Sequence, residues 1–286
     1  MRWLFAGISR HRVALILGAT IALTTAWKAP IASEGKIIGD APIYLDMARH
    51  LKDGQGALLS VNFYQDWRGT AIASLPYHHI GYALWVVLVW TLWDSLPAVT
   101  LANVLLAAAS LVLYYSLCRI FYAEKVCLVS TALLALSGPY FAASILPLAE
   151  QLQFFLLLCG LLLLWRPRAP AWMVAVSAAV LASALLVRVA HLYSCAAVAV
   201  WERRKVFWVT ILLAAGAWES FCWLRYGRLY PQYAGPARVL SVATHFVGGY
   251  YADQPPHLRF PSQSLGFRLE QSLKNSPRHF SRFFAQ

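Results

Sequence analysis

The chain has 286 residues, of which 60% are hydrophobic and only 13% are charged. A soluble domain carries about a quarter charged residues, so this composition excludes an ordinary soluble globular protein and indicates a membrane protein. The formal net charge is +12, but the basic residues stand in short clusters between apolar runs. That pattern is typical of membrane loops and not of a nucleic-acid groove, so no nucleic-acid partner is expected.

The first apolar run follows Arg2, Arg10 and Arg12 and continues to about Ala26. A secretory signal peptide has a similar start, but no small-x-small cleavage site precedes the next polar sequence. The sequence therefore predicts an uncleaved first span over residues 13–32. Because basic residues favour the cytoplasmic side, we expect a multi-pass protein of the plasma (inner) membrane with a cytoplasmic N-terminus.

A charged stretch, "GDAPIYLDMARHLKDG", follows at residues 39–54. Tyr44, Met47, Ala48 and Leu51 recur at helical spacing, with polar residues between them. The pattern predicts an interfacial helix over residues 40–53, inside an extracytoplasmic loop that covers 33–78. Asp40 stands at the start of this helix, where it could cap the free N–H groups. The alternative is that Asp40 faces a pocket and acts as a carboxylate base.

Further apolar runs predict an all-α, polytopic transmembrane helix bundle over residues 1–224. Two of the runs are short for a membrane about 30 Å thick, and these could be tilted, broken or re-entrant. Gly138, Pro139 and Pro147 are expected to break or bend one of the longer runs. The runs cover residues 79–93, 98–118, 126–147, 151–165, 172–187, 189–201 and 206–224, and the short ones are 79–93 and 189–201.

The basic loops set a predicted orientation. The loops around Arg119, Arg166 and Arg204 are expected in the cytoplasm, which puts Glu150 and Arg188 outside. Counting every run as a full span contradicts this arrangement. We therefore expect the 79–93 run not to cross fully.

Five further residues are candidates for binding substrate. His78 and His79 are either polar residues at a helix start or ligands for phosphate, sugar hydroxyls or a metal; two adjacent histidines alone are a weak metal signal. Glu150 is either an interfacial or helix-start carboxylate or a functional acid, since ionisable residues near membrane depth are costly. Arg188, with His191 one turn further along, either extends its charged end to the membrane surface (snorkelling) or binds a phosphate through its guanidinium N–H groups.

The last segment, residues 225–286, is predicted to be a basic extracytoplasmic tail with its own interfacial helix. The stretch "SLGFRLEQSLKNSPRHFSRFF" has apolar residues at helical spacing. It either adheres to anionic headgroups or covers a phosphate-bearing lipid.

These pieces, in this order, resemble the GT-C superfamily of integral-membrane glycosyltransferases, in the branch of the protein O-mannosyltransferases and the aminoarabinose transferase of lipid A. The pattern GD-x-x-x-Y-x-x-x-A-x-x-L-x-x-G is matched by residues 39–54, and "PYHHIGYALW", "LPLAEQ" and "LLVRVAH" follow. The family usually has two prolines where this chain has His78 and His79, and more spans after its large outer loop. A short or truncated member is therefore expected.

The resemblance implies transfer of a sugar from a polyprenyl-phosphate donor to a lipid, glycan or protein acceptor outside the cytoplasm. Asp40 would be the general base, and Tyr44, His78, His79, Glu150, Arg188 and His191 would bind substrate. No cofactor is required, and a divalent metal stays open. Two other functions remain: a multi-span transporter or flippase, and a non-catalytic membrane partner that binds polyprenyl lipid.

Overall fold

The structure is a computed structural model that describes residues 10–37, 39–57, 80–166, 168–188, 198, 202 and 204–226. Over these residues the chain is all-helical and contains no strand. The helices are α1 (Arg10–Ser33), α2 (Ala41–Lys52), α3 (Ile80–Leu92), α4 (Leu96–Phe121), α5 (Glu124–Leu136), α6 (Gly138–Ile145), α7 (Ala149–Leu164), α8 (Ala171–Val187) and α9 (Lys205–Tyr226). The predicted all-α class is confirmed for the part of the chain described.

Two described helices are long and apolar enough to cross a membrane, Arg12–Ser33 in α1 and Leu96–Phe121 in α4. A third crossing is available if α5 and α6 form one bent span. Large apolar side chains project outward from these helices, as expected for contact with lipid: Leu23 in α1, Leu105 in α4 and Leu133 in α5 are each more than 60% exposed. These features indicate association with a membrane.

The 126–147 run is two helices and not one. It separates at Ser137, where the backbone becomes extended, and α6 starts with Gly138 and Pro139. The angle between α5 and α6 is 59°. Because proline cannot donate an N–H to the preceding turn, the bend falls where the sequence predicts it.

The end of α1 and the start of α4 meet at one end of the bundle. Ser95 caps α4 by accepting a hydrogen bond from the Ala98 N–H at 3.2 Å. One turn on, the Thr100 hydroxyl donates to the Ala32 carbonyl at 2.5 Å, which joins α4 to the last turn of α1.

Helices α7 and α8 form an antiparallel pair that packs closely at Gly160. A Cβ atom at this position would stand 2.5 Å from the Leu181 side chain, so only glycine allows the approach. The Ser177 hydroxyl also donates to the Gly160 carbonyl at 2.7 Å. The pairing brings the first turn of α7 beside the last turn of α8.

A helix, α2, is present where the sequence predicts one at residues 40–53, and it packs along α3; its interfacial position stays a prediction. Near the helix starts, the rings of Tyr44 and Tyr82 are 5.0 Å apart, edge to face. Near the helix ends, the Lys52 ammonium binds the Asp94 carboxylate at 2.6 Å. Helices α2 and α3 therefore run in the same direction, side by side.

The described part of α3 is shorter than a full span. Its 13 residues extend about 20 Å, whereas a span needs about 30 Å. Three residues separate its end from the start of α4, and its residue Tyr82 bonds Asn103, only about 10 Å along α4 from the start of that helix. The residues before Ile80 lie outside the described part of the chain, so the incomplete crossing of the 79–93 run stays a prediction.

The chain divides into two compact units. The described residues up to Ala214 belong to the first, and residues 215–226 of α9 belong to the second. Every contact of the candidate site lies within the first unit. The predicted tail at 225–286 lies outside the described residues except for its first two positions, so it stays a prediction.

Candidate functional site

Glu150 and Arg188 form an ion pair between the start of α7 and the end of α8. Glu150 is in the first turn of α7, Arg188 directly follows α8, and a guanidinium Nη1 donates to the Glu150 Oε1. The side chains are 41% and 36% exposed, so the pair is partly open to solvent and not in a dry core. Residues 38 positions apart are joined because α7 and α8 pack antiparallel.

Both members of this pair keep unused hydrogen-bonding groups. The second oxygen of Glu150, Oε2, is buried and accepts no hydrogen bond from the described residues. Arg188 uses one N–H on Glu150, and the rest of its fork has no other partner in the same part of the chain. A buried acceptor without a donor is costly. Glu150 Oε2 could therefore accept a hydrogen bond from a hydroxyl group, while the remaining N–H groups of Arg188 bind an anion.

Tyr44 brings α2 into the same cluster. Its side chain is 3% exposed, and burial is the largest cause that raises the pKa of its hydroxyl. The negative charge of Asp40 raises this pKa further, Arg188 lowers it and Glu150 raises it. All three charges therefore act on the same hydroxyl. The Tyr44 hydroxyl stays protonated at neutral pH, so it can donate a hydrogen bond but cannot serve as a base.

The structure thus gathers four of the predicted site residues, which come from three parts of the chain. Asp40 and Tyr44 lie at the start of α2, Glu150 at the start of α7 and Arg188 at the end of α8. The charges of Asp40, Glu150 and Arg188 all act electrostatically on the Tyr44 hydroxyl. We call this group the carboxylate–arginine cluster.

Asp40 does not cap α2. Its backbone angles are φ −77° and ψ −4°, which are helical and not the extended conformation of an N-cap, and its side chain makes no capping hydrogen bond. The capping alternative is therefore wrong. Pro42 does occupy the first helical turn, and Gly54 follows α2 with φ +73°, both as expected. Asp40 is half-buried at the start of α2.

Two functional candidates were missed at the sequence level, Tyr82 and Asn103. Both are fully buried. The Asn103 amide donates to the Tyr82 hydroxyl at 2.9 Å and to the Leu146 and Leu148 carbonyls at 2.7 and 3.3 Å. These bonds hold the turn before Glu150 against α4. An asparagine inside an apolar helix is costly unless it is bonded, and that signal could have identified Asn103.

Gly81 allows α3 to approach the end of α8. A Cβ atom here would stand 2.7 Å from the backbone carbon and oxygen of Leu186 and 2.8 Å from the Val187 nitrogen. No backbone atom can yield at such distances without moving a helix. Gly81 therefore sets the distance between α3 and the turn that carries Arg188.

The remaining predicted site residues, His78, His79 and His191, lie outside the described residues, so their roles stay predictions. A metal site is not formed by the described part of the chain, which brings together no group of three or more His, Cys, Asp or Glu side chains. The chain matches no protein-family description, no curated protein and no solved structure.

Proposed function

We propose that the chain is an integral-membrane glycosyltransferase of the GT-C type, which moves a sugar from a polyprenyl-phosphate donor to an acceptor hydroxyl. The observation that supports this function best is the carboxylate–arginine cluster. Asp40 and Tyr44 come from one motif of the sequence, and Glu150 and Arg188 come from two others. Glu150 bonds Arg188, and the charges of Asp40, Glu150 and Arg188 all act on the Tyr44 hydroxyl. A chance resemblance in scattered short motifs would not require them to be neighbours.

The proposed reaction is a displacement at the anomeric carbon. The Asp40 carboxylate takes the proton of the acceptor hydroxyl while the acceptor oxygen bonds to that carbon. The bond from the anomeric carbon to the phosphate oxygen breaks, and the polyprenyl phosphate leaves with the electron pair. An arginine that presents N–H donors to the phosphate stabilises the charge that develops there, and Arg188 fills this role.

Glu150 and Tyr44 have supporting roles in this proposal. Glu150 orients Arg188 through Oε1, and its buried Oε2 can accept a hydrogen bond from a hydroxyl of the sugar or acceptor. Tyr44 remains neutral, so it adds no charge next to the base. Of the two carboxylates in the cluster, Asp40 is the proposed base, because the Glu150 carboxylate is engaged in the ion pair with Arg188.

The test is sugar transfer by the full chain in nanodiscs, with a panel of radiolabelled polyprenyl-phosphate sugars and membrane extract as the acceptor source. Asp40→Asn keeps the shape of the side chain and removes the base, so we expect transfer to fall by about 100-fold or more. Asp53→Asn is the matched control, because Asp53 is exposed at the opposite end of α2 and should leave transfer unchanged.

Three other outcomes would contradict either the proposed base or the proposed activity. Undiminished transfer by Asp40→Asn would show that Asp40 is not the base. Donor binding without transfer by the wild-type chain would identify a non-catalytic lipid-binding partner. Movement of a fluorescent polyprenyl-phosphate sugar between leaflets, measured by its accessibility to dithionite, would identify a flippase.

A further inference from the structure

Lys28 is a buried cation that the proposed reaction does not use. It lies in α1, and only 2% of the residue is exposed. Its ammonium stands 4.6 Å from the ring centre of Tyr140 and 5.8 Å from that of Phe141, both in α6. No carboxylate is paired with it among the described residues.

The hydrogen-bonding capacity of this ammonium is unused. Lys28 has three N–H donors, yet no hydrogen bond or ion pair connects it to the described part of the chain. Aromatic faces attract a cation but do not replace the oxygen acceptors that it had in water. A desolvated ammonium gains most from an anion that also accepts hydrogen bonds.

The position of Lys28 along α1 indicates where such an anion comes from. The neighbouring Trp27 is 56% exposed and its ring contacts Phe141 at 4.7 Å, while Leu23, one turn earlier, is 71% exposed. An exposed tryptophan near the end of an apolar helix is typical of the headgroup level of a bilayer. Lys28 lies about 8 Å before the helix end at Ser33, which suits the depth of lipid phosphates.

Lys28 lies on the face of α1 that packs against the other helices, next to residues that face outward. Along its last three turns the buried residues of α1 are Thr24, Lys28 and Ala32, which are spaced four residues apart on one face. Trp27 and Pro30, beside this line, are exposed, so lipid can approach the edge of the α1–α6 contact where Lys28 lies. The Tyr140 hydroxyl stays fixed to the Ala107 carbonyl at 2.6 Å, so the aromatic side of the site is held in place.

Lys28 is also separate from the carboxylate–arginine cluster. Lys28 contacts Tyr140 and Phe141 in α6, whereas the cluster is carried by α2, α7 and the end of α8. We propose that Lys28, backed by Tyr140 and Phe141, is a second site that binds the phosphate of an anionic membrane phospholipid between α1 and α6. This site does not depend on the proposed sugar transfer.

The experiment measures lipid retention by native mass spectrometry after the full chain is released from nanodiscs of phosphatidylcholine with a minority of phosphatidylglycerol. We expect wild-type protein to retain phosphatidylglycerol in preference to phosphatidylcholine. Lys28→Met removes the charge and keeps the apolar stem, so the preference should fall about tenfold or more. Lys205→Met is the control, because Lys205 is exposed at the start of α9 and should leave the preference unchanged.

Two further arms keep the proposal falsifiable. Lys28→Arg, which keeps the charge and adds a fork of donors, should retain the preference, and Lys28→Gln should lose it even if Lys28→Met is not recovered folded. Excess inorganic phosphate should not displace the lipid; displacement would mean that a free anion and not a lipid is the ligand. A wild-type chain without lipid preference, or Lys28→Met with full preference, would overturn the site.

Discussion

Two cations of the chain lie close to helix contacts, and the protein surrounds them in opposite ways. Arg188 ends α8 beside a carboxylate and remains about a third exposed, whereas Lys28 in α1 is covered by aromatic rings and has no carboxylate partner among the described residues. Arg188 is held by an opposite charge and is partly open to solvent. Lys28 is held by packing, in a place where the described part of the chain offers its charge no hydrogen-bond acceptor.

The difference follows from how closely the neighbouring helices pack around the end of α8, which carries Arg188, and around α1, which carries Lys28. Around Arg188, Gly81 brings α3 against the α8 backbone, and Asn103 ties the turn before Glu150 to α4. Helix α1 packs on α4, α5 and α6, but its first half is open: a Cβ atom added at Gly18 would meet no atom outside its own helix within 4 Å. A closely packed site suits chemistry on a small group, and an open helix face suits contact with lipid.

The largest expected effect comes from adding one methyl group to the tight contact. Gly81→Ala places a Cβ within 2.8 Å of three backbone atoms of Leu186 and Val187, so α3 or α8 must move. We expect a loss of about 2–3 kcal/mol in unfolding free energy, measured by denaturant titration in detergent, together with loss of sugar transfer.

Gly18→Ala is the control for this change, since open space surrounds Gly18 and alanine favours a helix interior. It should be neutral or stabilise α1 by up to about 1 kcal/mol. Equal effects of the two substitutions would show that α1 and the α3–α8 contact are packed alike.

An intermediate effect is expected when each cation is replaced by methionine. Arg188→Met leaves the Glu150 carboxylate without its partner, and because the pair is partly exposed the loss should be about 1–2 kcal/mol and not the larger cost of a fully buried pair. Lys28→Met exchanges a buried charge for an apolar side chain of similar size, so unfolding in neutral detergent should change by less than about 1 kcal/mol.

The reverse order of these two values would contradict the comparison. If Lys28→Met destabilised the protein more than Arg188→Met, the contact of the ammonium with Tyr140 and Phe141 would be a main support of α1. Thermal unfolding monitored by circular dichroism gives the same ranking independently.

The smallest expected effect on unfolding free energy comes from comparing a helix-capping residue, Ser95, with a candidate site residue, Asp40. Ser95→Ala removes the acceptor for the Ala98 N–H and should cost about 1 kcal/mol of unfolding free energy. Asp40→Ala removes no cap and should cost less, while transfer is lost. A larger loss of stability in Asp40→Ala than in Ser95→Ala would return Asp40 to a structural role.

Much of this architecture is readable from local pattern. The helix at residues 40–53 and the break beside Pro139 follow from side-chain spacing and proline chemistry. The sequence left open whether the 126–147 run is broken or only bent, because that depends on how the two halves pack. Asn103 and Tyr82 were missed because each looks ordinary until its partner is known.

The sequence by itself determined that the chain is helical and apolar, and it selected Asp40, Tyr44, Glu150 and Arg188 as candidates, since composition and spacing are local properties. Only the tertiary structure decided that Glu150 binds Arg188, that Asp40 does not cap its helix and that Lys28 is enclosed by aromatic rings. The physical reason is that pairing and burial depend on which helices pack together. Here glycine contacts at Gly81 and Gly160 set that packing, across long separations in the chain.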